Sequence, residues 1–415
     1  MITDPSTGRE TEQPTEQPIG QPTGEAAATP NLRRRRIIKV AVLVVVLGLL
    51  APVGYSYACA LTGPGTDALS VRSVEWLRTH HFRWLVNDVE NFWYSHHRPK
   101  KGGLPSRQLR AQVNGSSAST PSVVPPVTVP RVVALPAPAV LRPFVASPLP
   151  GEGTWQPIGL PVDGVPAMYA TYMRPDSVYT SLVSAVAWID PKLVSAVGYA
   201  GAVEPGGAGW AHQLPIPDSV RPSLLAAFNS GFRMQDARGG YYDSGRYARP
   251  LRTGAAALWI TAEGVPHVGA WGRDATLTPD VVYVRQNLEL IVDGGSPVQG
   301  LDVGSSAQWG WTVGNKVMVW RSGVGETANG ALVYAAGPDL STHMLADLLA
   351  RAGAVRAMEL DINSAWVDFF TYSPPPAGLP PSDLTVKKLL TNMVPSTSHY
   401  LTASSRDCIA LFARR

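Results

Sequence analysis

Apolar positions along this chain follow three different patterns. From Val40 to Leu61 they are nearly continuous and uncharged, long enough to cross a bilayer as a helix. Between 67 and 97, Val71, Val74, Leu77, Phe82, Leu85, Val86, Val89, Phe92 and Trp93 recur roughly at helical spacing among Arg, His, Asp and Glu. That spacing predicts an amphipathic helix beside the membrane. Beyond Trp155 the apolar runs become short, β-branched or aromatic, and bounded by Gly, Pro, Asn or Asp, which predicts strands. They are Met168 to Met173, Val183 to Ile189, Leu224 to Phe228, Ala256 to Thr261, Val265 to Trp271, Leu288 to Val292, Trp309 to Val313, Lys316 to Trp320 and Ala331 to Ala335. Hairpin turns are predicted at Ala262-Glu263-Gly264 and Gly314-Asn315. One long helix stands out, Ser341 to Ala352, with Met344, Leu345, Leu348 and Leu349 on one face, Ser341 as N-cap and Gly353 as terminator. A strand ending at Asp361 should follow it, and Cys408 to Phe412 is a candidate last strand. The expected fold class is α+β: a mixed β-sheet domain with few helices, preceded by a single N-terminal transmembrane helix and an amphipathic juxtamembrane helix.

Charge and composition set the domain plan. Residues 1–36 are expected to be a disordered cytoplasmic tail, because up to residue 32 they hold almost no large apolar side chain. Residues 37–61 are the transmembrane helix, 62–98 the juxtamembrane helix, 99–154 a Pro-rich linker and 155–415 the folded domain. Arg33 to Arg36 and Lys39 lie against the start of the apolar segment, while the next basic residue beyond it is Arg72, so the N-terminus should be cytoplasmic and the domain extracytoplasmic. A cleaved export signal is the rival, since Ala58-Cys59-Ala60 has the form of a cleavage site; the long polar extension favours the retained anchor. A net charge of +4 on 415 residues gives no case for nucleic acid as a partner. Two cysteines, Cys59 and Cys408, exclude a disulfide scaffold. The pairs His80-His81 and His96-His97 make no metal site, because adjacent residues face different sides of a helix, and no cofactor is called for.

Candidate chemistry sits where strands end. Ala357 to Ala365 is an apolar run that stops at Asp361 and continues in small polar residues, placing an acid after a helix and strand as open sheets do at a crevice. Glu359 lies two positions earlier on the same strand face. Asn229-Ser230-Gly231-Phe232 follows another strand, and Asp293-Gly294-Gly295 a third. For both Asp361 and Asp293 the alternative role is a turn cap. The stretch Arg233 to Thr253 reads as a loop with five arginines, Arg233, Arg238, Arg246, Arg249 and Arg252, suited to a phosphate or carboxylate unless Asp236 and Asp243 pair with them.

Over roughly residues 155–372 these motifs resemble the phosphodiester glycosidase domain, in the same order as in that family: the Asn229-Ser230-Gly231-Phe232 turn, the hairpin from Ala257 through Gly264 to Gly269 and Trp271, the strand end Asp293-Gly294-Gly295, and a helix before Leu360-Asp361. Two departures accompany the likeness. Trp311-Thr312-Val313-Gly314 stands where the family has Arg-Thr-Ala-Ile-Gly, and Ile362-Asn363 stands where its Leu-Asp-Gly-Gly-Gly-Ser motif has glycines. Glycine there would allow close backbone approach to a ligand.

The resemblance implies a membrane-anchored, extracytoplasmic hydrolase of a glycosyl phosphodiester or related cell-envelope glycan. A departing phosphate needs little protonation, so one carboxylate can suffice where glycosidic cleavage otherwise uses two. Asp361 is then the first choice as base or nucleophile, Glu359 the second and Asp293 the third. Asn229, Ser230, Gly231, Gly294, Gly295, Asn363 and Ser364 would line the substrate, and Arg249 or Arg252 would hold its phosphate. The alternative is a non-catalytic envelope protein that binds an anionic glycan or a protein partner through the same crevice.

Overall fold

The computed structural model describes residues 31–63, 65–82, 84–86, 88–89, 99–115, 133–301, 309–310, 317–378, 380 and 383–414. The chain divides into two compact units, Met1–Cys59 and Ala60–Arg415. What is described of the first is most of the helix Asn31–Thr62, with Pro52 inside it. Its stretch Arg34–Thr62, 29 residues with a mean hydropathy of 2.6, is long and apolar enough to cross a membrane.

The second unit is mostly sheet with few helices, the predicted α+β class. In chain order its strands are β1 (Gln156–Pro157), β2 (Met168–Met173), β3 (Ser184–Ile189), β4 (Val194–Tyr199), β5 (Leu224–Asn229), β6 (Tyr241–Asp243), β7 (Arg246–Arg249), β8 (Ala256–Thr261) and β9 (Pro266–Ala270). They continue with β10 (Val281–Gln286), β11 (Leu290–Asp293), β12 (Ser296–Pro297), β13 (Val319–Thr327), β14 (Leu332–Leu340), β15 (Ala354–Glu359), β16 (Phe369–Ser373), β17 (Thr385–Lys388) and β18 (Cys408–Ala413). Three sheets result, in the orders β1-β2-β3-β14-β13-β15-β11-β12, β7-β6-β10-β8-β9 and β17-β16-β5-β18-β4. Neighbouring strands within them pair antiparallel, and the parallel bridges, such as Ala200 with Gln213, are isolated loop contacts. Because β14 and β15 both run antiparallel to the β13 between them, they are parallel to each other, and the helix Thr342–Arg351 is the crossover that joins them.

Side-chain alternation assigns the two faces of the large sheet. On β14, Leu332, Tyr334 and Ala336 point into the core shared by all three sheets, where they meet Phe228, Ile409, Leu258 and Tyr283. Val333 and Ala335 point the other way, to Leu345, Leu348 and Leu349 of the crossover helix. That helix begins as its sequence predicts: Ser341 Oγ accepts the N–H of Met344 at 3.1 Å. It ends at Gly353, whose φ of +95° a side chain would resist.

Several elements differ from the sequence expectation, each for a local reason. The predicted helix over 67–97 is interrupted: after Leu69–Thr79, His81 takes a left-handed φ of 68° and the Phe82 N–H bonds the carbonyl of Leu77 at 3.0 Å, closing the end as glycine usually does, and residues 84–86 and 88–89 are helical again. Residues 90–98, with His96-His97, lie outside the described residues, as do the predicted tail up to residue 30, most of the strand Trp309 to Val313 and the turn Gly314-Asn315. The strand predicted from Leu288 begins at Leu290 because Leu288 has a φ of 55°. The stretch Arg233 to Thr253 is not one loop; β6 and β7 form a hairpin across Ser244 and Gly245, both with positive φ, the combination two-residue hairpin turns require. Parts of the Pro-rich stretch dock on the domain: Val113 is fully buried in the main core, and Glu152 pairs with Arg174 at 2.8 Å.

At Gly198 of β4 the two smaller sheets press together. A Cβ there would lie 2.2 Å from the ring of Tyr283 on β10, itself buried. Gly198→Ala should lower stability by about 2–3 kcal/mol, the usual cost of overpacking; an unchanged urea midpoint would count against this packing.

Candidate functional site

The β13–β15 ladder runs one step past Glu359 and delivers Asp361. Leu360 N–H donates to the Ser322 carbonyl at 2.8 Å, and Ser322 N–H donates to the Asp361 carbonyl at 2.9 Å. The Asp361 N–H in turn donates to Ser322 Oγ at 3.2 Å. The carboxylate then folds over its own turn, accepting the N–H groups of Ile362 at 2.7 Å and Asn363 at 3.0 Å, while Arg406 stands 3.7 Å away. Asp361 therefore caps a turn and also presents a carboxyl in a buried site, where only 3% of the residue is exposed. Burial pushes its pKa up to about 6, against the pull of Arg406 and the two backbone N–H groups.

Asn229 of β5 holds this corner to the neighbouring sheet. Its Nδ2 donates to the Ser230 carbonyl and to Ser322 Oγ, both at 3.0 Å, and its Oδ1 accepts from Tyr334 OH at 2.9 Å and Asp368 N–H at 3.2 Å. Ser230 is buried, and Gly231 lies against Arg285 and Asn287, which a Cβ would approach to 3.2 Å. Asn287 ties the turn to β15, donating to the carbonyls of Glu359 at 2.7 Å and Leu360 at 2.9 Å and accepting from Phe232 N–H at 3.3 Å. Ile362 and Asn363, standing where the resemblance expects glycines, both have negative φ, so no glycine is needed for the backbone. Ile362 packs with Phe232, Ala237 and Leu288 and so braces the Asn229 turn; Asn363 Oδ1 accepts from Ala365 N–H at 2.9 Å, and Ser364 is half-buried in the same turn.

The other predicted residues have different surroundings. Glu359 is fully buried and bonded to Arg321, which also donates to the carbonyls of Leu340 and Val317; burial raises its pKa while Arg321 opposes the rise. Asp293 pairs across the ladder with Arg356, at the opposite end of β15 from Asp361, a separation of about 16 Å at the usual strand rise. There it is held below the usual carboxylate range by Arg273, bonded at 2.6 and 3.0 Å, and Gly294 and Gly295 with φ of 61° and 78° make the β11–β12 turn. Arg249 donates to the Met234 carbonyl at 2.7 Å, Arg252 to the Arg238 carbonyl, and Arg252 and Arg238 line a separate cavity of about 190 Å³. Arg246 lies 4.0 Å above the Trp210 ring. Arg233 pairs with Glu75 at 3.1 Å and Glu204 at 3.6 Å rather than with Asp236 or Asp243. A larger cavity of about 630 Å³ lies elsewhere, lined by β4, β8 and the chain end near Arg414.

Sequence reasoning missed the residues that complete the cluster. Arg285 bonds Asp407 at 2.8 Å, both essentially fully buried, and an arginine directly after the apolar run Val281-Val282-Tyr283-Val284 was the available signal. In β13, Arg321 supplies the partner of Glu359 and Ser322 the hydroxyl that holds Asp361. Arg406, Asp368, His399 and Ser404 gave no motif at all.

Asp67 and the helix Leu69–Thr79 pack against the cluster. Glu75 of the helix Leu69–Thr79 reaches Arg233, and its charge helps raise the pKa of Asp361. Asp67 accepts from Ser405 Oγ at 3.2 Å and lies 3.9 Å from His399 Nε2.

No family model matches the chain, and no curated protein does. Among solved structures it is similar to the catalytic domain of zebrafish N-acetylglucosamine-1-phosphodiester alpha-N-acetylglucosaminidase, auto-inhibited by its pro-peptide, at 14% identity and a TM-score of 0.36 over 63% of this chain and 88% of that one. It is also similar to a hypothetical protein from Synechocystis, at 11% identity and a TM-score of 0.37 over 61% of this chain and 64% of that one. A third likeness is to a putative exported protein from Burkholderia pseudomallei, at 12% identity and a TM-score of 0.32 over 57% of this chain and 75% of that one. Likenesses this distant assign no function.

A carboxyl whose pKa rises from 3.8 to about 6 on folding favours the folded state at low pH and loses that advantage as pH climbs through about 6. Asn at the same position does not titrate. From pH 4 to pH 7 the stability difference should therefore shift in favour of Asp361→Asn by up to about 3 kcal/mol, measured by denaturant unfolding across pH; parallel pH profiles would contradict the buried carboxyl.

Proposed function

We propose that this chain is a membrane-anchored, extracytoplasmic hydrolase of glycosyl phosphodiesters or related cell-envelope glycans, with Asp361 as base or nucleophile. The observation that carries the proposal is the Asp361 carboxyl itself: buried at a strand end, raised to a pKa of about 6, and 3.7 Å from Arg406. A carboxyl poised near neutrality suits proton abstraction or attack, and an adjacent guanidinium suits a phosphate oxygen. Of the three candidate acids, Glu359 is committed to Arg321 and Asp293 to Arg273, which leaves one, Asp361. One is enough when the leaving group is a phosphate. Arg406 and Arg233 replace Arg249 and Arg252 as the cations proposed to hold it. The basic residues Arg33 to Arg36 before the apolar helix support a cytoplasmic N-terminus.

A second proposal, an envelope protein that binds an anionic glycan without cutting it, draws on the cover over the site, where Asp67 and Glu75 already occupy its cationic side. Turnover separates the two. The full chain in detergent should hydrolyse a mannose-phosphate or teichoic-type phosphodiester, with kcat/KM rising as pH passes about 6, because the base must be ionised. Asp361→Asn should reduce kcat by at least about 100-fold, the usual weight of a general base. Undiminished turnover in that variant would refute the assignment, and tight binding without turnover in the wild type would favour the binding protein.

A further inference from the structure

Beside Arg406, three side chains form a second chemical arrangement that the phosphodiester proposal does not use. Ser404 Oγ lies 2.9 Å from His399 Nε2, and His399 Nδ1 lies 2.8 Å from Asp368 Oδ2. The other Asp368 oxygen accepts from Tyr400 OH at 2.6 Å, which fixes the carboxylate and through it the imidazole. The Asp368–Nδ1 bond sets the tautomer in which Nε2 is free to accept the Ser404 proton. Nucleophile, base and orienting acid are thus connected in the order and at the distances of a serine triad, an arrangement recognised by geometry rather than by position in the sequence.

A buried histidine satisfied by two neighbours would show the same bonds. Two further observations point to a ligand. Arg406 carries a buried guanidinium nitrogen, Nη1, with no hydrogen-bond partner among the described residues. Its guanidinium lies 4.7 Å above the Trp366 ring, which in turn stands 6.0 Å from the His399 ring, so an unused cationic donor shares a wall with the imidazole. In addition, the face of the triad is covered by a carboxylate. Asp67 sits 3.9 Å from His399 Nε2 and bonds Ser405, and the chain at Gly65 packs so close that a Cβ would meet the Ala403 carbonyl at 2.9 Å.

We propose that Ser404, His399 and Asp368 are a second catalytic centre, a serine triad that hydrolyses a carboxylic ester bearing a nearby negative charge. Ser404 Oγ attacks the ester carbonyl while its proton passes to His399 Nε2, and the carbonyl oxygen takes up negative charge. The ester C–O bond then breaks, the departing alkoxide takes the proton from Nε2, and the acyl group remains on Ser404. Water enters, gives a proton to Nε2 and attacks the acyl carbon; the free acid leaves and Ser404 recovers its proton. Arg406 holds the anionic group of the ester. The chain from Gly65 to Asp67 must swing aside for the ester to enter.

The test uses the full chain in detergent with two probes, a fluorophosphonate that labels activated serines and the mono-4-nitrophenyl ester of succinic acid. Label should appear on the peptide containing Ser404, more rapidly in Asp67→Asn than in the wild type, and 4-nitrophenol release above the enzyme-free rate of each ester should be faster for the succinate ester than for 4-nitrophenyl acetate. Ser404→Ala and His399→Gln should each lower that release by about 100-fold or more. Ser404→Cys, which preserves the hydrogen bond, should exchange fluorophosphonate labelling for iodoacetamide labelling and so guards against loss of fold in the alanine variant. Absence of label on Ser404 in both the wild type and Asp67→Asn overturns the proposal, as does ester release that survives Ser404→Ala. Neither result bears on the phosphodiester assignment, which is read with a different substrate.

Discussion

The four hydrogen bonds of Asn229 are the constraint on which the rest of the site depends. Its side-chain amide joins β5 to Ser322 on β13, to Tyr334 on β14 and to the backbone of Asp368, so one residue fastens a small sheet to the large one. An amide has two donors and one oxygen able to accept twice, and here all are used. Ser322 passes the constraint to Asp361, and Asp368 passes it to His399. Because the seam is buried, an incomplete set of bonds would leave polar groups unsatisfied at roughly 1–3 kcal/mol each, which makes the network behave as a unit.

The charges around this seam differ in how firmly they are matched. Arg285 with Asp407, Arg174 with Glu152 and Arg321 with Glu359 are buried pairs in direct contact, as burial of an ion requires. Asp361 departs from that pattern: Arg406 stands 3.7 Å away, and the carboxylate relies instead on two backbone N–H groups. Partial compensation is the physical reason its pKa is raised. Glu359, two residues earlier, shows the contrast: the same strand supplies one acid to an arginine and the next to the cluster.

Local patterns in the sequence foretold the elements that local physics governs. The apolar helix, the capped helix Thr342–Arg351, most strands with alternating or β-branched runs, and the emergence of Asp361 after a helix and strand all follow from periodicity and capping. What escaped was set by distant pairing. β10 ends in Arg285 and Gln286, with Asn287 just beyond, and that end reads as polar until Asp407, far along the chain, supplies a partner. The arginine stretch looked like a loop because its charges masked the β6–β7 hairpin, and its arginines turned to carbonyls, an aromatic ring and distant acids. His399 and Ser404 carry no motif, since their meaning comes from Asp368 on a different segment. Ile362 and Asn363 read as losses because side chains there limit how closely a ligand can approach the backbone; the packing of Ile362 against Phe232, Ala237 and Leu288, a brace for the Asn229 turn, depends on distant residues.

If the seam is one unit, its members must couple. A double-mutant cycle of Asn229→Ala and Ser322→Ala, read by urea unfolding of the full chain through tryptophan fluorescence, tests this most directly. A shared network predicts that the second substitution costs less once the first is made, with a coupling of about 1–3 kcal/mol. Strictly additive losses would mean that Asn229 and Ser322 act independently and that Asp361 is held by its own turn alone.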